Sequence, residues 1–260
     1  MNSTILKKKY DSNINVYYQD ILPSELAERI INYIWLNKQD PQNDEKFQLV
    51  QNTKADVFAL QYDNETYYLK SYSFRTTSKI FKNFFRPVEA IRCFQTAVKL
   101  KKANIPAAEP ILALTKNVNF LVVDSIFVTR EVRGVDLHTY LLNNTPDNSQ
   151  LREKIIKKLA IIWSELINHS FVHLDPGLNN LIVASGKTSI QLNLIDIDAI
   201  YSLPYLPKRL LLIKNLQRLK QRMKNFSATT NEFNLFITEF LNRCHVFREF
   251  SFIKNHFITK

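Results

Sequence analysis

Glycine is nearly missing from this chain: 3 residues in 260, none of them before Gly134. A glycine-rich phosphate loop, which relies on close approach of bare backbone to an anion, is thereby excluded from the first half. Cysteine is as scarce. Cys93 and Cys244 cannot build a disulfide framework and have no zinc-ligand spacing, so both read as small reduced core residues. The adjacent Cys244–His245 pair has no further ligands nearby. No apolar run approaches the roughly 20 residues that cross a bilayer, and the opening MNSTILKKKYDSN has no apolar stretch after its lysines, which argues against a signal peptide. Repeats and low-complexity segments are absent too. These absences lead to the expectation of a reduced, cytoplasmic globular protein.

What the chain does have is positive charge, +11 with a pI near 9.5, beside 45% hydrophobic and 12% aromatic residues. Such a chain folds, and its surface draws polyanions. Pro23-Ser24-Glu25 reads as a helix start with Ser24 as N-cap, followed by Leu26, Ile30, Tyr33 and Ile34 at helical spacing. A polar loop, Asn37 to Lys46, comes next. Strands are expected at Phe47–Val50, Val57–Leu60 and Tyr67–Tyr72, a helix from Glu89 to Ala103, and two short strands at Leu121–Val123 and Ile126–Arg130. Beyond Gly134 the character changes. A long amphipathic helix, Leu151 to His169, turns Ile155, Leu159, Ile162, Trp163 and Leu166 inward and Arg152, Lys154, Lys157 and Lys158 to water. After it come the loop HLDPGLNN, a strand Leu181–Val183, a turn at Ser185-Gly186, a strand Gln191–Ile195 ending at Asp196, a basic helix near Lys208–Lys224 and a helical tail.

The loop His173-Leu174-Asp175-Pro176-Gly177-Leu178-Asn179-Asn180 holds H-x-D with an asparagine five places after the aspartate, and Leu194-Ile195-Asp196-Ile197-Asp198 closes the strand that follows. Taken alone, D-P-G is ordinary turn chemistry. The helix before it and the strand–turn–strand–Asp after it are the context that gives such a motif meaning. In this combination the chain resembles the protein-kinase-like superfamily, and more closely the lipopolysaccharide core kinases that phosphorylate Kdo or heptose. The resemblance runs from about Phe47 to Lys224. It implies an α+β, protein-kinase-like bilobal fold, with an antiparallel N-lobe sheet plus one helix and a mainly helical C-lobe. The expected division is a helical extension over 1–46, an N-lobe over 47–132 and a C-lobe over 133–260.

It also implies ATP and Mg2+ as cofactors and a division of labour. Asp175 accepts the hydrogen bond of the attacking hydroxyl, while Asn180 and Asp196 offer hard oxygens to the metal. His173 is a structural member that bonds backbone around the loop. Lys70, on the third expected strand, is matched to the lysine that holds the α/β-phosphates, although strand alternation by itself does not decide its face. The position where relatives carry its glutamate partner is Cys93 here, and Glu89, one turn earlier, is the substitute; the other reading of Glu89 is a solvated residue favoured by the helix dipole. Glu131 lies in the expected hinge, Thr129 to Gly134, where backbone groups would meet adenine. The loop Gln51–Asp56 has no glycine, and Lys54 is its one cation.

No A-P-E-like motif follows Asp196, which favours a small or carbohydrate acceptor over a peptide. The expected partner is an anionic glycolipid, the lipopolysaccharide core, reached at the cytoplasmic face of the inner membrane. Between Arg75 and Arg86 basic residues alternate with phenylalanines, a pattern that fits peripheral contact with head groups and equally a solvated basic face over a packed aromatic one. No RNP, zinc-finger or helix-turn-helix pattern supports specific nucleic-acid binding. A small atypical protein kinase and a pseudokinase scaffold are the alternatives.

Overall fold

The computed structural model of the chain describes residues 4–36, 47–52, 55–73, 88–144, 149–185, 190–203, 213, 216–219, 221 and 230–245. The polar loop Asn37–Lys46, Lys54, the basic and aromatic stretch Arg75–Arg86, Gly186 and most of the expected helix Lys208–Lys224 lie outside these residues. The chain divides into two compact units, Met1–Val98 with Ala108–Glu131, and Lys99–Ala107 with Val132–Lys260.

The first unit is built on strands β1 (Leu6–Lys9), β2 (Ile14–Tyr18), β3 (Phe47–Asn52), β4 (Asp56–Tyr62), β5 (Glu65–Ser73), β6 (Pro110–Val118) and β7 (Leu121–Arg130). They form one sheet in the order β1-β2-β6-β7-β5-β4-β3, antiparallel at every pairing. Alternation gives each strand two faces. Leu69, Leu112, Leu114, Ile126 and Val128 form one core face with Leu26, Ala27, Ile30 and Ile31 of helix α1 (Ser24–Trp35). Helix α2 (Glu89–Lys102) packs on the other face, where Phe94 meets Phe127 edge to face at 6.5 Å. Helix α1 has Glu25 in its first turn and no cation in its last. Lys116 of β6 supplies one instead, donating from Nζ to the Trp35 carbonyl at 3.4 Å.

Three expectations change here. Ser24 is the first helical residue rather than the cap; Pro23 precedes the helix and makes no side-chain capping bond, having no acceptor to offer. The two strands expected at Leu121–Val123 and Ile126–Arg130 are one continuous ten-residue strand. The polar pair Asp124-Ser125 suggested a break, yet Ser125 is buried within the sheet and burial pushes the Asp124 carboxyl up to about 6. The third change is the partner of that strand, β6, together with β1 and β2: the region before Phe47 supplies two strands as well as a helix, and both join the same sheet.

The second unit contains β8 (Val135–Asp136), α3 (Leu137–Asn144), α4 (Ser149–Asn168), β9 (Phe171–His173), β10 (Leu181–Ser185), β11 (Ile190–Leu194), β12 (Ile200–Ser202) and α5 (Thr230–Arg243). Helix α4 buries Ile155, Leu159, Ile162, Trp163 and Leu166. Arg152, expected in water, is instead partly buried against α5, where its Nε and Nη2 meet the two Glu232 carboxylate oxygens at 2.6 and 3.1 Å. Strands β11, β10 and β8 form one small sheet and β12 with β9 another. Gly134 is needed at the entry to β8. Its φ is +156°, and a Cβ there would lie 2.2 Å from the Val183 carbonyl oxygen.

Candidate active site

The segment carrying His173, Asp175, Asn180 and Asp196 lies wholly in the second unit. Its two ends are pinned by short sheets. Strand β9 delivers His173 and pairs antiparallel with β12, His173 opposite Ile200, and the Leu174 N–H donates to the Ala199 carbonyl at 2.8 Å. Downstream, β10 pairs with β11 from Leu181 opposite Leu194, and the Ile195 N–H donates to the Asn180 carbonyl at 3.0 Å. Asn180 is therefore hydrogen-bonded to the residue immediately before Asp196. Residues distant in sequence become neighbours because a hairpin and its return strand close the loop on both sides.

Within the loop, the Asp175 carbonyl accepts two bonds, from the Gly177 N–H at 2.7 Å and from Asn180 Nδ2 at 2.9 Å. A carbonyl can only accept, so the second bond fixes which way the Asn180 amide faces. Its nitrogen is committed to Asp175, and its oxygen is left for another partner. Gly177 has an ordinary backbone, φ −72°. A Cβ placed on it would meet Asn180 Nδ2 at 3.5 Å and Asp175 Oδ1 at 3.9 Å, so the Asp175 carboxylate and the Asn180 amide flank the same point. Asp175 is exposed, while Asn180 and Asp196 are partly buried. Among the described residues no group of three or more His, Cys, Asp and Glu side chains forms a metal cluster. An amide oxygen with one carboxylate is a donor set that suits a hard cation sharing its remaining positions with phosphate and water.

His173 departs from its expected role. It is 2% exposed, and among the described residues neither ring nitrogen has a hydrogen-bond partner, so it does not bond the described backbone around the loop. It stacks on Trp163 of α4 instead, with ring centroids 5.8 Å apart and planes 8° from parallel. Burial lowers its pKa to about 4, against the smaller opposing pull of Asp175 and Asp198. The ring is a neutral packing element under the loop. One contact was invisible beforehand: Arg218 donates from Nη1 to the Leu174 carbonyl at 2.8 Å, one peptide before Asp175. Nothing local in the sequence around Arg218 marks it, since the bond spans 44 positions.

In the first unit, Lys70 stands opposite Phe127 across the β5–β7 pairing. Phe127 touches Phe94 of α2, so Lys70 is on the α2 face of the sheet, a point that alternation had left undecided. Tyr72, two residues on and on the same face, brings its hydroxyl to 3.7 Å from Cys93 Sγ. Glu89 forms an ion pair with Arg92, three residues along α2. Arg92 Nη2 also lies 3.6 Å from Cys93 Sγ. The Glu131 N–H donates to the Thr66 carbonyl at 2.8 Å, closing the end of β7 against β5.

A sheet of antiparallel strands carrying one lysine-facing helix, joined in sequence to a unit whose loop presents Asp, Asn and Asp on a hairpin, defines a protein-kinase-like enzyme fold. Many solved structures share it. One, described as "WaaP in complex with acyl carrier protein", aligns with a TM-score of 0.63 at 15% identity, over 88% of this chain and 93% of that one. A profile of the lipopolysaccharide kinase (Kdo/WaaP) family matches residues 43–240, and the chain belongs to that family. A search of curated proteins finds no match.

Proposed function

We propose that this protein is an ATP- and Mg2+-dependent kinase that phosphorylates a sugar hydroxyl, of Kdo or heptose, in the inner core of lipopolysaccharide, working at the cytoplasmic face of the inner membrane. The observation that carries the reading is the Asn180 side-chain amide, turned by its bond to the Asp175 carbonyl, on a residue whose backbone carbonyl accepts from the Ile195 N–H, beside Asp196. That arrangement supports Asp175 as the group that accepts the proton of the attacking hydroxyl, with Asn180 and Asp196 holding the metal. The metal, when bound, neutralises charge on the phosphates. The new bond forms between the acceptor oxygen and the γ-phosphorus, the bond to ADP breaks, and the acceptor proton passes to Asp175. Lys70, on the α2 face, is matched to the lysine that holds the α/β-phosphates, and the Glu131 segment to the hinge that receives adenine. Family membership supports the glycolipid acceptor. No helix among the described residues is long and apolar enough to cross a membrane.

The test is incubation of purified protein with ATP, Mg2+ and isolated inner-core glycolipid, read by mass spectrometry. A gain of about 80 Da, the phosphate increment of phosphoryl transfer, on the glycolipid and its loss in Asp175→Asn are expected. Phosphate appearing on protein, or on no acceptor, would remove the sugar reading. A second reading, a pseudokinase scaffold, is favoured by one observation: Glu89, the substitute for the missing partner at Cys93, is engaged by Arg92. It predicts no ATP turnover, and cells carrying Asp175→Ala would keep the protein's cellular function.

A further inference from the structure

One end of the seven-stranded sheet exposes apolar side chains that serve no core. The β6–β7 hairpin closes there through a two-residue turn, Val118 paired with Leu121 and Asn119 taking φ +57°. Phe120, at the tip, is 78% exposed and Val118 54%. Two bonds gather other segments at this corner. The Asn117 N–H donates to the Asn13 carbonyl at 2.7 Å, which attaches the β1–β2 turn and its exposed Tyr10. Lys116 Nζ reaches the Trp35 carbonyl at 3.4 Å, which attaches the end of α1 and exposed Leu36. A tight turn favours small polar residues, and a phenylalanine held in water there adds nothing to folding. Grouped exposure of this kind marks a contact surface.

We propose that this corner docks the protein on an anionic lipid bilayer. Strand β1, at the sheet edge, carries Lys7, Lys8 and Lys9, all exposed, and Lys9 adjoins Tyr10. Cations at head-group level beside an aromatic tip are the combination that binds acidic membranes. The hairpin already pairs its own backbone at Val118 and Leu121, so that part of the tip enters the interface paired while the turn groups stay at head-group level. The acid in the neighbouring turn, Asp11, spends Oδ1 on the N–H groups of Asn13 and Ile14 at 2.6 and 2.7 Å. Glu28 lies close enough to raise the Tyr10 phenol, after burial, and Asp124 stands opposite Lys116 across the hairpin. The proposal stands apart from the catalytic reading, since it uses no residue of the loop or of the Lys70 face.

Flotation of the full chain with phosphatidylglycerol–phosphatidylethanolamine vesicles, against phosphatidylcholine vesicles, tests it. Binding is expected to the anionic vesicles and to weaken with added salt. The double variant Val118→Ser/Phe120→Ser should lower partitioning by about tenfold or more, as loss of two buried apolar side chains does, with an unchanged melting temperature. Lys8→Glu/Lys9→Glu should weaken binding to anionic vesicles, and Phe120→Trp should retain it. Leu142→Ser, an exposed apolar residue of the other unit, should behave as wild type. Wild-type indifference to anionic vesicles overturns the proposal, as does undiminished binding of the double variant, which would assign attachment elsewhere. A tip variant that changes oligomeric state, or that loses an acidic protein partner while keeping vesicle binding, overturns it as well.

Discussion

Replacing His173 by phenylalanine isolates a single titration beneath the Asp175 loop. The imidazole is buried, stacked on Trp163 and, among the described residues, without a hydrogen-bond partner, and its pKa in the fold is about 4 rather than 6.5. Above pH 6.5 the ring is neutral whether the chain is folded or not, and it contributes nothing to pH dependence. As pH falls below 6.5 the unfolded chain takes up a proton that the fold refuses, so stability is lost from there down to the folded pKa and no further below it. With those two pKa values the loss is about 2 kcal/mol near pH 5, and about 3 kcal/mol once both states are protonated. Phenylalanine preserves the stack and removes the titration. Urea unfolding of wild type and His173→Phe at pH 7.5 and pH 5 should therefore show a stability difference that shifts by about 2 kcal/mol in favour of the variant at the lower pH. Titrating groups that do not interact with His173 cancel in that difference. Parallel stability profiles, or a histidine resonance titrating near its ordinary value in the folded protein, would refute the account of burial without a partner.

Asn180→Ala removes the amide that bridges to the Asp175 carbonyl and the oxygen proposed for the metal; turnover should fall by roughly a hundredfold or more, the scale of a lost electrostatic group at a reacting centre, and raising the Mg2+ concentration should recover part of it. Arg218→Met deletes the bond to the Leu174 carbonyl; kcat should drop by about tenfold, near the worth of one charged hydrogen bond, with KM for ATP unchanged and partial recovery in Arg218→Lys. Gly134→Ala should cost several kcal/mol, on the order of 3, measured by thermal unfolding, because its Cβ would overlap the Val183 carbonyl. Gly177→Ala, whose Cβ meets nothing closer than 3.5 Å, should stay within about 0.5 kcal/mol of wild type. Similar costs at the two glycines would contradict the geometry.

Much of the first unit was legible wherever pattern is local. Apolar and aromatic runs set off by the polar breaks QNTKAD and YDNE mark β3, β4 and β5, and the helical spacing of Ile91, Phe94 and Val98 marks α2, because each signal lies within the element that produces it. Strands β1, β2 and β6 escaped notice. The first is an exposed lysine run at a sheet edge, and lysine there guards against edge pairing rather than announcing a strand. Strand β6 opens on proline and runs through Thr115, Lys116 and Asn117 before its last residue, and it is a strand because β2 and β7 flank it. Asp124 and Ser125 looked like a break for the same reason: their tolerance inside β7 comes from neighbours far along the chain.

By itself the sequence determined which groups are available for chemistry: two aspartates and an asparagine, beside one structural histidine, at a spacing that a tight loop and a hairpin can gather, and a lysine on a strand. Spacing constrains reach, so those identities could be read without coordinates. Only tertiary structure decided how they are oriented. The face of Lys70, the turning of the Asn180 amide, the pairing of Glu89 with Arg92, the bare nitrogens of His173 and the reach of Arg218 to Leu174 each depend on contacts between separate elements. Such contacts are set by packing and backbone pairing over long separations, and no local period in the chain encodes them.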